Sequence, residues 1–294
     1  MTRIVRYLLA LGVLAIGACG DDDGGETSVP VAVLAAFPAE LAALLEHTRI
    51  DDTVIIAGRT FRTGRMGDVP VIVGMTGIGL VNAAQTARAL FDTTAVRGVV
   101  ISGVAGSPFR IGDVVVSERW AIAGGATYDA QGEWVERVAE VADAGGVHLQ
   151  RCTERPNAPL EDPVCMPHQP GVVIGGVGES DDPFGGTALS CTAGGDDVFG
   201  CDASGEFPSS FPSAPAERIG AAANDATAVD METAAIAAEA VARGLPFIAF
   251  RAVSDGEGDP LDLPGFPFQF FAYYRLAARN AAAAAAAFVE RLDG

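Results

Sequence analysis

The chain has 294 residues, 49% of them hydrophobic, and a formal charge of −19. That much apolar material can bury the core of one large or two small α/β domains and excludes disorder, while the acidic balance argues against nucleic acid or an anionic lipid surface as a partner. No lysine occurs anywhere, which removes Schiff-base chemistry and the phosphate-binding lysine of nucleotide-triphosphatase loops.

Arg3 and Arg6 precede an apolar stretch, Tyr7 to Ile16, too short to span a bilayer as a mature helix, and the small residues Gly17 and Ala18 then lead into Cys19. This resembles a bacterial lipobox. Residues 1–18 are expected to be a lipoprotein signal peptide, Cys19 the acylated new N-terminus, and residues 19–30 a polar, acidic, flexible tether. An ordinary signal peptide with a chance cysteine is the alternative. Cleavage would remove Arg3 and Arg6, leaving 17 basic against 38 acidic residues, a formal −21. The mature protein is thus expected outside the cytoplasm, lipid-anchored to the cell envelope.

Residues 31–294 read as one domain. "VPVAVLAAF" (29–37) is a short buried strand and "PAELAALLEHT" (38–48) a helix; "VPVIVGMTGIG" (69–79) is a strand running into glycines, with "LVNAAQTARALF" (80–91) the helix after it. "VRGVVISGVAGS" (96–107) and "GDVVVSERWAIA" (112–123) add two strands. From about 128 to 213 the chain is rich in Gly, Pro, Asp and Ser with little periodicity, and reads as an insertion or lid interrupted by one strand at 171–177. Its cysteines, Cys152, Cys165, Cys191 and Cys201, are even in number and in an exported context suggest two disulfides, with three possible connectivities. They lack a C-x-x-C pair, so no metal site is expected. The helix "AVDMETAAIAAEAVARG" (228–244), the strand "PFIAFRAVSD" (246–255) and an alanine-rich helix (271–292) complete a three-layer α/β/α sandwich with a mostly parallel central sheet. Sheets of this kind place their chemistry at the C-terminal ends of strands.

Three carboxylates fall near such positions. With Pro38 at the first helical position, Glu40 sits in the first turn, where the helix dipole favours its ionised form and suits it to act as a base; stabilising the helix is its alternative use. Asp255 emerges from "FIAFRAVS", a strand apolar enough to be buried on both faces. Partial desolvation there would raise its pKa and make it an acid, unless it merely caps the following loop. An ionised Glu232 could accept two hydroxyl donors from one sugar, with the Met231 thioether along the sugar's apolar face and Asp230 capping the helix. His47, His148 and His168 are scattered and carry no expected catalytic role. "GIGLVNAA" lacks the third glycine of a dinucleotide-binding turn.

"AAFPAEL", "TGIGLVNAA", "SGVAGSPFRIGDVVVS" and "VDMETAAIA" followed by "FRAVSD" occur in that order. With them the chain resembles the nucleoside phosphorylase superfamily, and within it the methylthioadenosine/S-adenosylhomocysteine nucleosidases, over most of 31–125 and 225–292. The resemblance implies hydrolysis of a purine nucleoside's N-glycosidic bond with water as co-substrate and no cofactor. It makes Glu40 the residue that activates water, Asp255, with its neighbour Ser254, the group that protonates N7 of the purine, Glu232 the ligand of the ribose hydroxyls and Met231 the residue beneath the sugar. Ala105 and Gly106 would lie in the loop near base and sugar, and Phe270 would be an aromatic closing over the substrate. A homodimer is also implied. Phosphorylases of the superfamily commonly hold phosphate with an arginine where this chain has Ile101, and Val104 replaces a loop serine. Hydrolysis is therefore favoured over phosphorolysis, unless Arg59, Arg62 or Arg65 substitutes. A non-catalytic nucleoside-binding lipoprotein feeding uptake is the other reading.

Overall fold

The computed structural model describes residues 29–155, 162–202 and 225–293. The expected signal peptide, Cys19 and most of the tether lie outside them. In chain order the elements are β1 (Val31–Ala35), α1 (Pro38–Leu45), β2 (Arg49–Ile56), β3 (Arg59–Met66), β4 (Val69–Met75), α2 (Leu80–Thr93), β5 (Val99–Arg110), β6 (Val114–Val116), β7 (Arg119–Ile122) and β8 (Thr127–Asp129). There follow α3 (Gly132–Asp143), β9 (Cys152–Thr153), β10 (Val164–Cys165), β11 (Val172–Ile174), β12 (Val177–Ser180), β13 (Ala228–Asp230), α4 (Thr233–Val241), β14 (Phe247–Glu257) and α5 (Phe268–Val289).

The centre of the sheet is parallel, β4 to β1 to β5 to β14, and its strands are apolar on both faces because helices cover both. One core cluster joins α1 and α5 to one face, and a second joins α2 and α4 to the other. The expected three-layer α/β/α arrangement is what forms. Among the described residues, antiparallel pairing within this sheet is confined to the β2–β3–β4 meander, the β7–β8 hairpin and two joins, β13 to β5 and β6 to β14, while β9 and β10 form a separate antiparallel pair.

Several expected boundaries move. The stretch 112–123 makes two strands instead of one, β6 and β7, and 171–180 makes β11 and β12. Each break faces the other: β6 runs parallel to β11 and β7 to β12, and the break between β11 and β12 falls at Gly175 and Gly176, whose φ of 115° and 77° favour glycine. The first residues of 228–244 are strand β13, with the helix starting only at Thr233. Residues 128–213 hold more regular structure than their composition suggests. Within them α3 packs Trp134, Val135 and Val138 on the core, and β11 and β12 extend the sheet. The cysteines pair in sequence, Cys152 with Cys165 and Cys191 with Cys201. Among the described residues no helix is long and apolar enough to cross a membrane.

Candidate active site

β1 hands the chain to α1 through Ala36 and Phe37, and Pro38 opens the helix. Proline there lacks only an N–H that the first turn would leave open. Glu40 is thereby placed in that turn at 1% exposure, and its carboxylate folds back over the strand ends. Ala36 N–H donates to Oε2 at 2.7 Å and Val104 N–H to Oε1 at 2.8 Å, so Glu40 ties the end of β1 to the middle of β5.

At the end of β13, Asp230 does what was expected of it. Its carboxylate accepts the N–H groups of Glu232 at 3.2 Å and Thr233 at 3.3 Å, and the hydroxyls of Ser180 and Thr233, satisfying amides that a helix start leaves open. Glu232 is left to reach across the site, where Gly79 N–H donates to its Oε1 at 2.8 Å. Gly79 sits at φ 95° with Phe184 against it, which leaves no room for a side chain.

Arg251 was not singled out from the sequence, yet it organises these acids. It lies on β14 at 1% exposure, with Nε 2.7 Å from Asp230 Oδ2, Nη2 3.4 Å from Glu232 Oε2 and Nη1 3.7 Å from Glu40 Oε1. Nε also donates to Thr233 Oγ1 at 2.9 Å. Three carboxylates around one guanidinium carry an excess of negative charge when all are ionised. Burial pushes Glu40 up to about 7, against the pull of Arg251 and of the Ala36, Val104 and Phe37 amides. Glu232 is raised as well, first by burial, with Arg251 opposing and Asp230 and Glu40 adding repulsion. Burial thus favours the neutral forms of Glu40 and Glu232 more than it would for ordinary carboxylates. Gly103 completes it, because a Cβ there would lie 2.2 Å from Arg251 Nη1 and 2.4 Å from Glu40 Oε1.

Asp255 reaches the same space by a different device. β14 pairs regularly with β5 as far as Val253, then shifts register on both sides of Asp255, which faces Gly106. Such an irregularity re-aims a side chain that a regular strand would send elsewhere. Ser254 Oγ donates to Asp255 Oδ1 at 2.7 Å, and burial raises the carboxyl's pKa more than that bond lowers it. A Cβ on Gly106 would come within 2.7 Å of Asp255 Oδ2, so glycine gives the acid its room.

These residues converge. Glu40, Ala105, Gly106, Met231, Glu232, Ser254, Asp255 and Phe270 all line one cavity of about 200 Å³. Its remaining wall is mainly apolar and includes Phe37, Ile78, Phe184, Val198, Phe199 and Phe266. Phe37 meets the Phe270 ring edge-on at 6.1 Å, and Phe270 stacks on Tyr274 at 5.5 Å. Val198 and Phe199 belong to the loop closed by the Cys191–Cys201 bridge. That loop is anchored at Asp197, whose backbone oxygen accepts Ala39 N–H at 2.8 Å and whose carboxylate accepts Tyr274 OH at 2.9 Å and Arg275 Nε at 2.8 Å. Part of the expected insertion is thus a fixed wall of the site.

A model of the phosphorylase superfamily matches residues 30–292. The chain belongs to this superfamily. Among its relatives, a 5'-methylthioadenosine/S-adenosylhomocysteine nucleosidase of Chromohalobacter salexigens is 30% identical over 270 residues, covering 89% of this chain and 97% of the relative. An uncharacterized protein of Mycobacterium tuberculosis is 36% identical over 184 residues, 57% of this chain and 74% of its own length. The fold of this superfamily member also matches the Neisseria meningitidis 5'-methylthioadenosine/S-adenosylhomocysteine nucleosidase in complex with methylthio-immucillin-A, at a TM-score of 0.62 and 22% identity over 90% of this chain and 99% of that one.

Sequence reasoning missed Arg251, Phe184, Val198 and Phe199. For Arg251 a signal existed, since a guanidinium inside so apolar a strand must be buried and must find partners. For Val198 and Phe199 there was none, because a disulfide-closed loop has no periodicity to read.

Proposed function

We propose that the protein hydrolyses the N-glycosidic bond of a purine nucleoside, releasing the free base and ribose or a 5-substituted ribose. The observation that carries this reading is the convergence of Glu40, Glu232 and Asp255 on one cavity. The nucleosidase relative of nearly full length supports it.

Asp255, its pKa raised by burial, gives its proton to N7 as the bond between C1′ and N9 breaks and that electron pair moves into the purine. Ser254 holds the carboxyl in place. Glu232 binds the ribose hydroxyls while Met231 lies under the ring. As C1′ takes on oxocarbenium character, the acid-rich cluster around Arg251 becomes complementary to the positive sugar, an interaction weaker with the neutral substrate. Glu40 accepts a proton from the water that attacks C1′. Ala105 and Gly106 border base and sugar, and Phe270 closes the apolar side.

Water is favoured over phosphate as the nucleophile. Ile101 is buried in β5, and Arg251, the guanidinium beside Glu40, is already matched by three carboxylates. Incubating the full-length protein with purine nucleosides, with and without phosphate, is expected to give free base and free ribose at a rate phosphate does not change. Release only with phosphate would make it a phosphorylase; binding without release would make it a nucleoside-binding lipoprotein.

The same proposal places the enzyme at the cell envelope through lipid on Cys19, as a homodimer that meets scavenged nucleosides. Cys19→Ser is expected to move it from the membrane fraction to the soluble one, and light scattering on the purified protein should give twice the chain mass.

A further inference from the structure

The loop closed by Cys191 and Cys201 meets the start of the helix that carries Glu40. α1 opens without a cap of its own, because the Phe37 side chain offers no acceptor and Pro38 has no N–H. The first free amide is that of Ala39, next to Glu40, and it donates to Asp197 O at 2.8 Å. A loop distant in the chain thus supplies the cap.

The loop is braced inside and anchored outside. Asp196 Oδ1 accepts the N–H groups of Val198 at 2.9 Å and Phe199 at 2.7 Å, Thr192 N–H donates to Phe199 O at 2.7 Å, and the bridge closes the two ends. Asp197 is 4% exposed, and its carboxylate accepts Tyr274 OH at 2.9 Å and Arg275 Nε at 2.8 Å, both from α5. Tyr274 in turn stacks on Phe270 of the cavity wall. A buried carboxylate is costly unless it is paired and hydrogen-bonded. Here the pairing ties the loop to α5 and the carbonyl ties it to α1, so one residue spans the helix of the water-activating acid and the helix of the aromatic that closes the site.

We propose that Asp197 is a positioning residue for Glu40. Held by α5 and by the Cys191–Cys201 bridge, its backbone oxygen fixes the first turn of α1 and with it the carboxylate that takes the proton from water. The catalytic consequence rests on the nucleosidase reading. It differs from the wall contacts of Val198 and Phe199, since losing a wall weakens binding whereas moving a base slows the chemistry.

The test measures kcat and KM for the full chain and for Asp197→Ala, Asp197→Asn and Cys191→Ser/Cys201→Ser. Cys152→Ser/Cys165→Ser, whose cysteines do not line the cavity, is the control. The substrates are a purine nucleoside and a riboside with a nitrophenolate leaving group, which needs the water held by Glu40 but no proton from Asp255. Asp197→Ala and the Cys191/Cys201 variant are expected to lose roughly ten- to a hundredfold in kcat on both substrates, as when a reacting group is misplaced by about 1 Å, with KM changing less than about threefold. Asp197→Asn keeps an acceptor for Tyr274 but not the charge facing Arg275, so it should fall between Asp197→Ala and wild type. The control should stay within about twofold of wild type. Unchanged kcat, with or without a raised KM, would overturn the proposal, as would a loss confined to the purine nucleoside or an equal loss in the control. Should Asp197→Ala fail to fold, Asp197→Asn and the Cys191/Cys201 variant carry the same comparison. Hydrogen exchange of residues 37–41 separates this proposal from the nucleosidase reading. If wild type cleaves neither substrate, that reading fails and exchange decides: an Ala39 amide at least about tenfold faster in the folded variants supports the latch, and an unchanged rate refutes it.

Discussion

Asp255→Asn lowers kcat by roughly a hundred- to ten-thousandfold, the usual worth of a general acid, with KM changing much less. The amide keeps the shape of the carboxyl and its bond to Ser254 but has no proton to give N7. Glu40→Gln should cost a similar factor through the other half of the reaction. A riboside with a nitrophenolate leaving group separates the two, because that group departs without being protonated. Asp255→Asn should cleave it nearly as fast as wild type, whereas Glu40→Gln should remain slow. Equal losses in both variants would mean that Asp255 is only structural. Glu40 must be ionised to accept water's proton, so with its pKa pushed up to about 7, kcat/KM for wild type should fall as pH drops below that value. The stability term has the opposite sense. A buried carboxyl with a raised pKa binds more protons folded than unfolded between about 4.5 and 7, so its contribution weakens as pH rises through that window.

Arg251→Met should be the most damaging single change to the fold near the site. It leaves Glu40, Asp230 and Glu232 buried around a neutral side chain, and breaking a buried pair in this way costs about 3 to 5 kcal/mol. The carboxyls respond by holding protons to higher pH. For Glu40 and Glu232 the folded pKa values then lie further above the unfolded ones, the native state binds more protons, and stability falls as pH rises. Urea unfolding at pH 5 and pH 8 is the measurement: the variant's deficit should be clearly larger at pH 8. A deficit equal at both values would mean that lost packing, not charge, accounts for it. Arg251→Lys keeps the charge and loses the fork that spans three acids, so it should recover part of the stability and little of the activity.

Much of the frame was legible because it is written in local chemistry. Apolar runs that stop at Ala36, Gly77 or Asp255 lie near strand ends, and Pro38 marks a helix start. The parts that went unread had weaker local signals or misleading surroundings. The β2–β3 hairpin turns on Ala57 and Gly58, at φ 50° and 78°, but nearly all of β2 is exposed or half-buried, so it shows no apolar alternation. For α3 the stripe Trp134, Val138 and Val141 was available, hidden among flanking glycine and aspartate.

By itself the sequence determined the layered α/β frame, the two carboxylates near helix starts and the acid near the end of the last strand, since capping, periodicity and burial act over a few residues. Only the tertiary structure decided that Arg251 would sit among three acids, that a displaced register would aim Asp255 at Gly106, and that a bridged loop from residues 191–201 would wall the cavity. Those outcomes depend on which strands become neighbours, and the electrostatics of the site exist only once side chains distant in the chain share a medium that excludes water.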